Sequence, residues 1–451
     1  MSYQDEYRRK LISAEEAAGL VKSGMWIDYG FGSGIPLLID EKLAERASEL
    51  ERVKVRFDWH CSRIKILEAD PKQEHFIVNS WFITKPMRKY CDMGICPHSP
   101  HLFSDAPRAY REFLKDQVGI AFLEVTPMDK HGYFNFGAAT TQEKAICDVA
   151  KTVVLEVNES QPWIYGGYDE AIHISEVDYI VENNKYPIDE LKTPPSTEID
   201  KQIARNIAEQ IEDGSTIQLG VGPIPDTVGN ILIERGAKDL GIHSEMFCES
   251  MMNLIKAGVV TGRKKSINRG RAVCTFAAGS RKLYDYIDHN SIIAAFPVGY
   301  TNDPYVVSQN YKMVCINNAL QIDLAGQVCA EAIGARQVSG TGGQLDFTKG
   351  AYRSPGGKAF VALHSTHTTK DGKLVSNIVP TLEPGAVVTD PRTEVSYIVT
   401  EYGVVNLRAR TLWERARLLV SIAHPDFRSE LEEEAMRLNF ITKATRLEPI
   451  C

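Results

Sequence analysis

The sequence predicts an α/β protein built from two related open α/β domains, residues 1–192 and 193–451. Strand patterns alternate with helix patterns along the chain, which is typical of largely parallel sheets. Three glycines of the first half recur in the second half at one constant spacing; the two sets are Gly24, Gly30 and Gly32, and Gly214, Gly220 and Gly222. A helix and a strand follow in both places, so the pattern indicates an internal duplication, with chance spacing as the alternative.

The elements of the first half follow in order from local signals. Ser13 and Glu16 have the spacing of a capping box, so a helix begins there and ends near Gly24. A strand at 25–29, a glycine turn, a helix at 37–50 and a strand at 53–57 come next. Charge and proline replace the periodic pattern at 186–196, which we take as the connection between the halves.

The second half repeats this order. A helix is predicted at about 198–211 and a strand at 215–219, followed by a glycine turn and a helix at 226–235 that Asp226 can cap. The remaining predicted elements are strands at 120–125, 152–157, 241–243, 291–296, 359–363 and 397–400 and a helix at 412–422. Their alternation supports the α/β class.

Composition excludes several classes of function. The chain has 451 residues, 43% hydrophobic and 24% charged, which is ordinary for a globular protein. Its net charge of −8 argues against a nucleic-acid partner. No apolar run approaches the roughly 20 residues of a membrane span. The nine cysteines are scattered and no signal peptide precedes them, so we expect reduced thiols and a cytoplasmic location.

The stretch 217–249 carries the strongest chemical signal. A short strand runs into the turn Gly220-Val221-Gly222, and a second strand ends at a carboxylate, Glu245. In open α/β sheets ligands bind at the carboxyl ends of strands. Main-chain N–H groups there can stabilise a developing oxyanion, and a carboxylate can act as a nucleophile.

Further motifs lie in order on both sides of this stretch. They are TPMDKHGYF at 126–134, GVGPIPD at 220–226, GIHSEM at 241–246, INNA at 316–319, DLAG at 323–326, GTGGQLDF at 340–347 and TEYGVVNLR at 400–408. Together they resemble the acetyl-CoA hydrolase/transferase family, and within it the 4-hydroxybutyrate and butyryl-CoA:acetate CoA-transferases. The resemblance implies two open α/β domains that face each other across a shared cleft.

The resemblance also implies a role for Glu245. In the resembling enzymes the glutamate at this position attacks an acyl-CoA thioester and forms an acyl-glutamyl anhydride. The CoA thiolate then returns to give a glutamyl-CoA thioester, and a second carboxylate runs the steps backwards. A surface glutamate at a strand end is the plain structural alternative for Glu245.

Other site residues are carried over in the same way. The N–H groups of Gly220, Val221 or Gly222 would face the anhydride oxygen, whereas Pro223 has no N–H to offer. By its position at the strand end, Gln218 would support the glutamate. In the family pattern Gly342 and Gly343 would line the thioester and the CoA tail, and Asn317 would contact CoA. There are plain structural alternatives to these roles. In these, the glycines are required only by the backbone geometry of their turns, and Gln218 is an ordinary polar residue at a strand end.

Several sequence features leave alternatives open. Glu249 competes with Glu245, because on a continuous strand the two would share a face. Cys91, Cys96, His98 and His101 offer possible zinc ligands, although their spacing fits no standard site. The basic run at 262–271 would contact CoA phosphates or form a solvated loop. Asp58-Trp59-His60 follow the second strand without a matching carboxylate, which suggests that the first half supplies a wall and the acid-binding surface.

The leading hypothesis is transfer of CoA between a short-chain acyl-CoA (acetyl-, butyryl- or 4-hydroxybutyryl-CoA) and a free carboxylate. An acyl-CoA hydrolase on the same fold and a non-catalytic ligand-binding protein are the alternatives. We expect no metal and no permanently bound cofactor, with CoA thioesters as substrates. The turn after Gln218 lacks the GxGxxG order of a dinucleotide site. We also expect a homo-oligomer, either a dimer or a tetramer.

Overall fold

Two six-stranded sheets organise the computed structural model, which describes residues 2–61, 64–220 and 222–449. The first sheet is parallel throughout. Its strands, in spatial order, are Phe76–Ser80, Val53–Phe57, Trp26–Tyr29, Ile120–Val125, Thr152–Val157 and Tyr179–Glu182.

The second sheet is formed by later residues of the chain. Its strands, in spatial order, are Gly241–Ile242, Thr216–Leu219, Met313–Asn318, Lys358–Ala362, Tyr397–Thr400 and Gly403–Asn406. Only the last pair is antiparallel. The predicted α/β class with largely parallel sheets is therefore confirmed.

The two sheets share one topology. In each half the first sheet strand lies between the next strand in sequence and a later one, with Trp26 paired to Lys54 and Thr216 paired to Gly241. Gly24 and Gly214 precede these strands with φ of 80° and 76°. This correspondence supports the predicted duplication, while the domain boundary at residues 192–193 stays a prediction.

The register of the two sheets gives Glu245 a counterpart in the first half. Asp58 and Glu245 each lie four residues beyond the paired residues Lys54 and Gly241. The expectation that the first half has no matching carboxylate was therefore wrong. The sequence concealed the match because the strand before Glu245 is short, Gly241–Ile242, and the spacing between the halves shifts after the glycine turn.

The helices pack on the faces and edges of the sheets. In the first half they are Tyr3–Lys10, Ala14–Gly19, Leu37–Glu45, Lys65–Ala69, Arg88–Asp92, Ala106–Arg108 and Glu143–Val149. In the second half they are Glu198–Ala208, Pro223–Glu234, Glu249–Lys256, Arg281–Ile287, Val298–Thr301, Pro304–Ser308, Gln344–Arg353, Leu412–Ser421 and Pro425–Arg437.

Most helix starts agree with their sequence signals. The capping box of Ser13 with Glu16 is confirmed. The helix after the glycine turn begins at Pro223, however, so Asp226 lies in its first turn and is not its cap. Proline suits the first helical position because its missing N–H would have no partner inside the helix.

Shorter strands connect these elements. They are Tyr133–Asn135, Ala171–His173, Met246–Phe247, Ala272–Cys274, Phe276–Ala277, Ile293–Ala295, Gln321–Asp323, Val328–Cys329, Ala332–Ile333, Arg336–Gln337, Thr366–Thr368, Leu374–Ser376 and Ile378–Val379. Among the described residues, no helix has both the length and the apolar character required to cross a bilayer.

The hydrophobic core crosses from one half to the other. A single cluster of buried apolar side chains includes Phe31 and Leu123 of the first half and Leu219 and Phe276 of the second. The rings of Phe31 and Phe276 lie 4.7 Å apart between their centroids. The halves are therefore packed directly against each other around the site described next.

Candidate active site

A cavity of about 300 Å³ lies where the two halves meet. The first half lines it mainly with aromatic side chains: Phe31, Trp59, Trp81, Phe82 and Phe103. The second half contributes five residues singled out from the sequence: Gln218, Gly220, Glu245, Asn317 and Gly342. Residues from distant stretches thus converge in one cleft, and the first half supplies its aromatic wall.

The backbone around Glu245 is fixed by hydrogen bonds to a neighbouring segment. Ser244 N–H donates to the carbonyl of Val273 at 3.0 Å, and Thr275 N–H donates to the carbonyl of Glu245 at 2.9 Å. The Glu245 side chain extends into the cavity, where Asn302 Nδ2 donates to its Oε2 at 2.6 Å. The carboxylate is therefore held at the strand end with one oxygen bound.

The surroundings of Glu245 disfavour the ionised form of its carboxyl group. Burial raises the pKa of this carboxyl to about 7, and Asp346 and Asp58 act in the same direction. The hydrogen bonds from Asn302 and from the main-chain N–H of Gly343 act in the opposite direction. Glu245 keeps some exposure to the cavity, but protein surrounds it, so we expect it to be partly ionised near neutral pH.

Asn302 and Asp346 are site residues that the sequence analysis missed. Asn302 lies between the two carboxyls, since a hydrogen bond from it also lowers the pKa of Asp346. Ser104 binds Asp346 from the first half, through its N–H at 3.0 Å and its Oγ at 2.8 Å. Asp346 lies inside the GTGGQLDF motif, so the sequence could have identified it as a site residue. No local sequence signal marks Asn302.

The second glycine loop approaches the candidate nucleophile closely. A Cβ atom on Gly343 would overlap the carboxylate of Glu245 and the amide of Asn302. The φ of Gly343 is −95°, so close approach, and not backbone conformation, requires glycine there. A Cβ on Gly342 would lie 3.2 Å from the ring of Phe82. The loop is thus packed between Glu245 and the aromatic wall.

The first glycine turn lies at the carboxyl end of strand Thr216–Leu219. Gly222 has a φ of 133° and caps the next helix, so glycine is needed there for conformation. A Cβ on Gly220 would make only an ordinary contact of 3.7 Å with the carbonyl of Ile316. Val221, the third residue named for this turn, lies outside the described residues.

Gln218 and Asn317 occupy the cavity edge of adjacent strands. Gln218 Oε1 accepts a hydrogen bond from Ile316 N–H at 3.1 Å, so its amide ties the two strands together. Asn317 Nδ2 is buried and has no hydrogen-bond partner within the described part of the chain. Asn317 therefore offers a donor to a ligand.

Two other sequence features, Glu249 and the basic run at 262–271, were candidates for the site. Glu249 begins helix Glu249–Lys256 and its Oε1 accepts from Ser280 N–H at 2.6 Å, so it does not continue a strand from Glu245. Lys264, in the basic run, packs beside Gly214 at the amino end of a sheet strand, opposite the cavity. The structure gives no support to a CoA phosphate contact there.

The cysteine–histidine cluster is not arranged as a metal site. Cys91 Sγ donates to the carbonyl oxygen of Cys96 at 3.0 Å. Within residues 2–61, 64–220 and 222–449, no three histidine, cysteine, aspartate or glutamate side chains are grouped to hold a metal ion. His101 lines the cavity instead, with its ring 4.1 Å from that of Trp81.

Family models match both ends of the chain. The model of the acetyl-CoA hydrolase/transferase N-terminal domain matches residues 1–191, and that of the C-terminal domain matches residues 279–435. The butyryl-CoA:acetate CoA-transferase of Anaerostipes caccae is 44% identical over 96% of this chain and 98% of its own length.

Two further relatives agree in sequence or structure. The 4-hydroxybutyrate coenzyme A transferase of Clostridium kluyveri is 39% identical over 96% of this chain and 99% of its own. The crystal structure of RipA from Yersinia pestis has a TM-score of 0.89 at 35% identity, covering 98% of this chain and all of its own. By contrast, the acetyl-CoA hydrolase of Candida albicans is 21% identical over 98% of this chain and 92% of its own. The chain therefore belongs to the acetyl-CoA hydrolase/transferase family.

Proposed function

We propose that this chain is a CoA-transferase that moves CoA between a short-chain acyl-CoA and a free carboxylate, with Glu245 as the nucleophile. The observation that carries the proposal is the placement of Glu245. Its carboxylate reaches the shared cavity, is bound by Asn302 and touches the glycine loop at Gly343. The names of the relatives at 44% and 39% identity agree with this chemistry.

The reaction has two stages, and both use the carboxylate of Glu245. In the first, an oxygen of Glu245 attacks the thioester carbonyl, the C–S bond breaks, and CoA leaves as a thiolate. The thiolate then attacks the glutamyl carbonyl of the anhydride, releasing the acyl group as a carboxylate and leaving CoA on Glu245 as a thioester. A second carboxylate reverses these steps, so the mechanism is ping-pong.

The glycine loops supply the main-chain donors of this proposal. N–H groups of Gly220, Val221 or Gly222 would stabilise the oxyanion that forms at each attack; in one studied enzyme the loss of such a donor costs about 10²–10³ in rate. Gly342, Gly343 and Asn317 would hold the thioester end of CoA. Binding of the remote part of CoA would supply energy for the anhydride.

The two halves would then have separate tasks. Residues 1–192 would provide the acid-binding wall, and residues 193–451 the nucleophile and the CoA loops. The aromatic wall limits the water near the anhydride, which favours transfer to a carboxylate over hydrolysis. The lower identity to the acetyl-CoA hydrolase, 21% against 44% for the transferase, points the same way.

The test is to trap the thioester. The protein is incubated with acetyl-CoA alone and reduced with borohydride, which converts a glutamyl thioester to an alcohol. We expect peptide mass mapping to place the change on Glu245, and Glu245→Gln to show none. A change on Glu249, or no change in a preparation with measured CoA exchange, would overturn the assignment.

A further inference from the structure

His243 lies two residues before Glu245 on the same extended segment. The segment is fixed to its neighbour by two hydrogen bonds, one from Ser244 N–H and one to the carbonyl of Glu245. Side chains two residues apart on an extended segment point to the same face. His243 and Glu245 therefore meet the same neighbouring element.

That element is the short helix Val298–Thr301, with Asn302 directly after it. His243 Nε2 lies 2.8 Å from the carbonyl oxygen of Thr301. Asn302 Nδ2 lies 2.6 Å from Oε2 of Glu245. Two side chains of one segment thus bind two consecutive residues of the other, the first through the backbone and the second through the side chain.

The hydrogen bond to Thr301 fixes the state of the His243 ring. A carbonyl oxygen can only accept a hydrogen bond, so the ring proton is on Nε2. Burial, together with the neighbouring Lys265, lowers the pKa of His243 to about 3, so the ring is neutral at pH 7. Nδ1 is buried and has no hydrogen-bond partner within the described parts of the chain. The imidazole therefore binds Thr301 as a neutral donor and places no charge near Glu245.

Asn302 depends on its backbone for its position. Its side chain is fully buried, and its Oδ1 has no hydrogen-bond partner among the described residues. The carbonyl groups at the end of a helix have no partner within that helix, so Thr301 needs one from outside, which His243 supplies. Without this bond the end of the helix would be free to move and to carry Asn302 away from Glu245.

We propose that His243 is a positioning residue: by binding the carbonyl oxygen of Thr301, it holds Asn302 against the carboxylate of Glu245. This inference rests on the proposed role of Glu245 as the nucleophile and adds a residue that acts on it through Asn302. A histidine that only filled the core would affect folding, but not the pKa of Glu245.

Other titratable groups face these side chains and could also affect a pH profile. They are Lys265 and Tyr300 beside His243, and Asp58 and Asp346 beside Glu245. Burial lowers the pKa of Lys265 to about 7 and raises that of Asp346 to about 7, the range in which Glu245 titrates. A shift in a rate profile could come from any of the three, so the test must follow the carboxyl of Glu245 itself.

The test measures the pKa of Glu245 by carbon-13 NMR of the glutamate carboxyl groups, with the signal assigned by its loss in Glu245→Gln. His243→Leu removes the donor but no charge, so a change at Glu245 must be transmitted through the structure. We expect the pKa of Glu245 to rise in His243→Leu, as in Asn302→Ala. We also expect kcat/KM for acetyl-CoA at pH 7 to fall by about tenfold, the value of one hydrogen bond. His243→Gln, whose amide can reach the position of Nε2, should restore part of both.

The double variant His243→Leu/Asn302→Ala tests the route. If His243 acts through Asn302, the pKa of Glu245 in the double variant should equal that in Asn302→Ala alone. The matched control is His75→Leu, because His75 Nδ1 also lies 2.8 Å from a carbonyl oxygen, that of Leu50. His75 precedes strand Phe76–Ser80, at the amino end of the first sheet, so its loss should leave the pKa of Glu245 unchanged.

An unchanged pKa of Glu245 in His243→Leu overturns the proposal, as do additive shifts in the double variant. If His243→Leu does not fold, His243→Asn takes its place, because its shorter amide cannot reach Thr301 and should give the same shift. Trapping of CoA on Glu245 with acetyl-CoA alone separates the two hypotheses, since the NMR measurement requires no catalysis. Absence of the trapped thioester counts against the transferase, whereas an unshifted pKa counts only against His243.

Discussion

Asn302 Nδ2 donates a hydrogen bond of 2.6 Å to Oε2 of Glu245. Asn302 is itself fully buried. A neutral donor stabilises the ionised form of a carboxyl group without introducing a positive charge. Asn302 therefore increases the ionised fraction of the candidate nucleophile, whose pKa burial raises.

The first prediction concerns the pH profile. Attack requires the carboxylate form of Glu245, so kcat/KM for acetyl-CoA should rise with pH through about 7, the raised pKa of this group. Asn302→Ala removes a contribution that lowers that pKa, so its profile should move to higher pH. Asn302→Asp adds a like charge and should move it further.

The control for this profile is Asn290→Ala. Asn290 Nδ2 donates to the carbonyl of Tyr286, outside the cavity, so its removal should leave the midpoint unchanged. Equal midpoints for Asn302→Ala and the unaltered enzyme would contradict the role given to Asn302.

The second prediction separates the two candidate carboxylates. Glu245→Gln keeps the size of the side chain but forms no anhydride, so CoA exchange should disappear while CoA binding persists. Glu245→Asp withdraws the oxygen by one methylene and should lose about 10² in rate. Exchange of labelled acetate with acetyl-CoA measures both.

Glu249→Gln is the matched control for Glu245→Gln. Glu249 binds the N–H of Ser280 at the start of a helix, so exchange should be retained. Loss of exchange in Glu249→Gln together with retention in Glu245→Gln would show that the wrong glutamate has been named.

The third prediction concerns the close approach at Gly343. Gly343→Ala places a methyl group where the Glu245 carboxylate and the Asn302 amide now lie. We expect kcat/KM for acetyl-CoA to fall by about 10² or more, because the carboxylate must move by the order of 1 Å.

Gly19→Ala is the control for that substitution. A Cβ on Gly19 meets nothing within 4 Å and the residue ends a helix, so activity should not change. A Gly343→Ala enzyme with the kinetics of Gly19→Ala would show that the loop is farther from Glu245 than described.

The fourth prediction links Glu245 to stability. Its pKa is raised from 4.5 to about 7 in the folded protein, so folding takes up a proton between these values. Stability from this group is complete below pH 4.5 and is lost as the pH rises through about 7. Glu245→Gln carries no such charge, so its gain in Tm over the unaltered protein should be larger at pH 8 than at pH 5.

Calorimetry at the two pH values measures this difference, with Glu433→Gln as a control at an exposed position. The same Tm difference between Glu245→Gln and the unaltered protein at both pH values would mean that Glu245 is not buried as described.

Local motifs were enough to predict some of the strands and to identify Glu245 as a site residue, whereas the sheet strands Phe76–Ser80, Tyr179–Glu182, Met313–Asn318 and Gly403–Asn406 were not predicted. The strands Ile120–Val125, Thr152–Val157 and Tyr397–Thr400 have the predicted bounds, because each is a short apolar run with clear ends. Glu245 and the turn at Gly220 stand in compact motifs, so the sequence could predict their positions at strand ends.

The partners of Glu245 could not be read in this way. Asn302 lies 57 residues beyond Glu245 and reaches it only after the helix Val298–Thr301 has packed. Asp58 becomes a counterpart of Glu245 only when strand register is known. Both relationships depend on contacts between segments that are distant in sequence. The spacing of residues along the chain does not indicate such contacts.

The continuous apolar cluster between the halves also governs how a substrate can enter. Phe31 meets Phe276, and the backbone of Ala139 bridges to that of Phe276 across the same seam. A hinge motion that parted the halves would expose this surface at about 25 cal/mol per Å² and break those bonds. We therefore expect a substrate to reach Glu245 without a hinge motion that separates the two sheets.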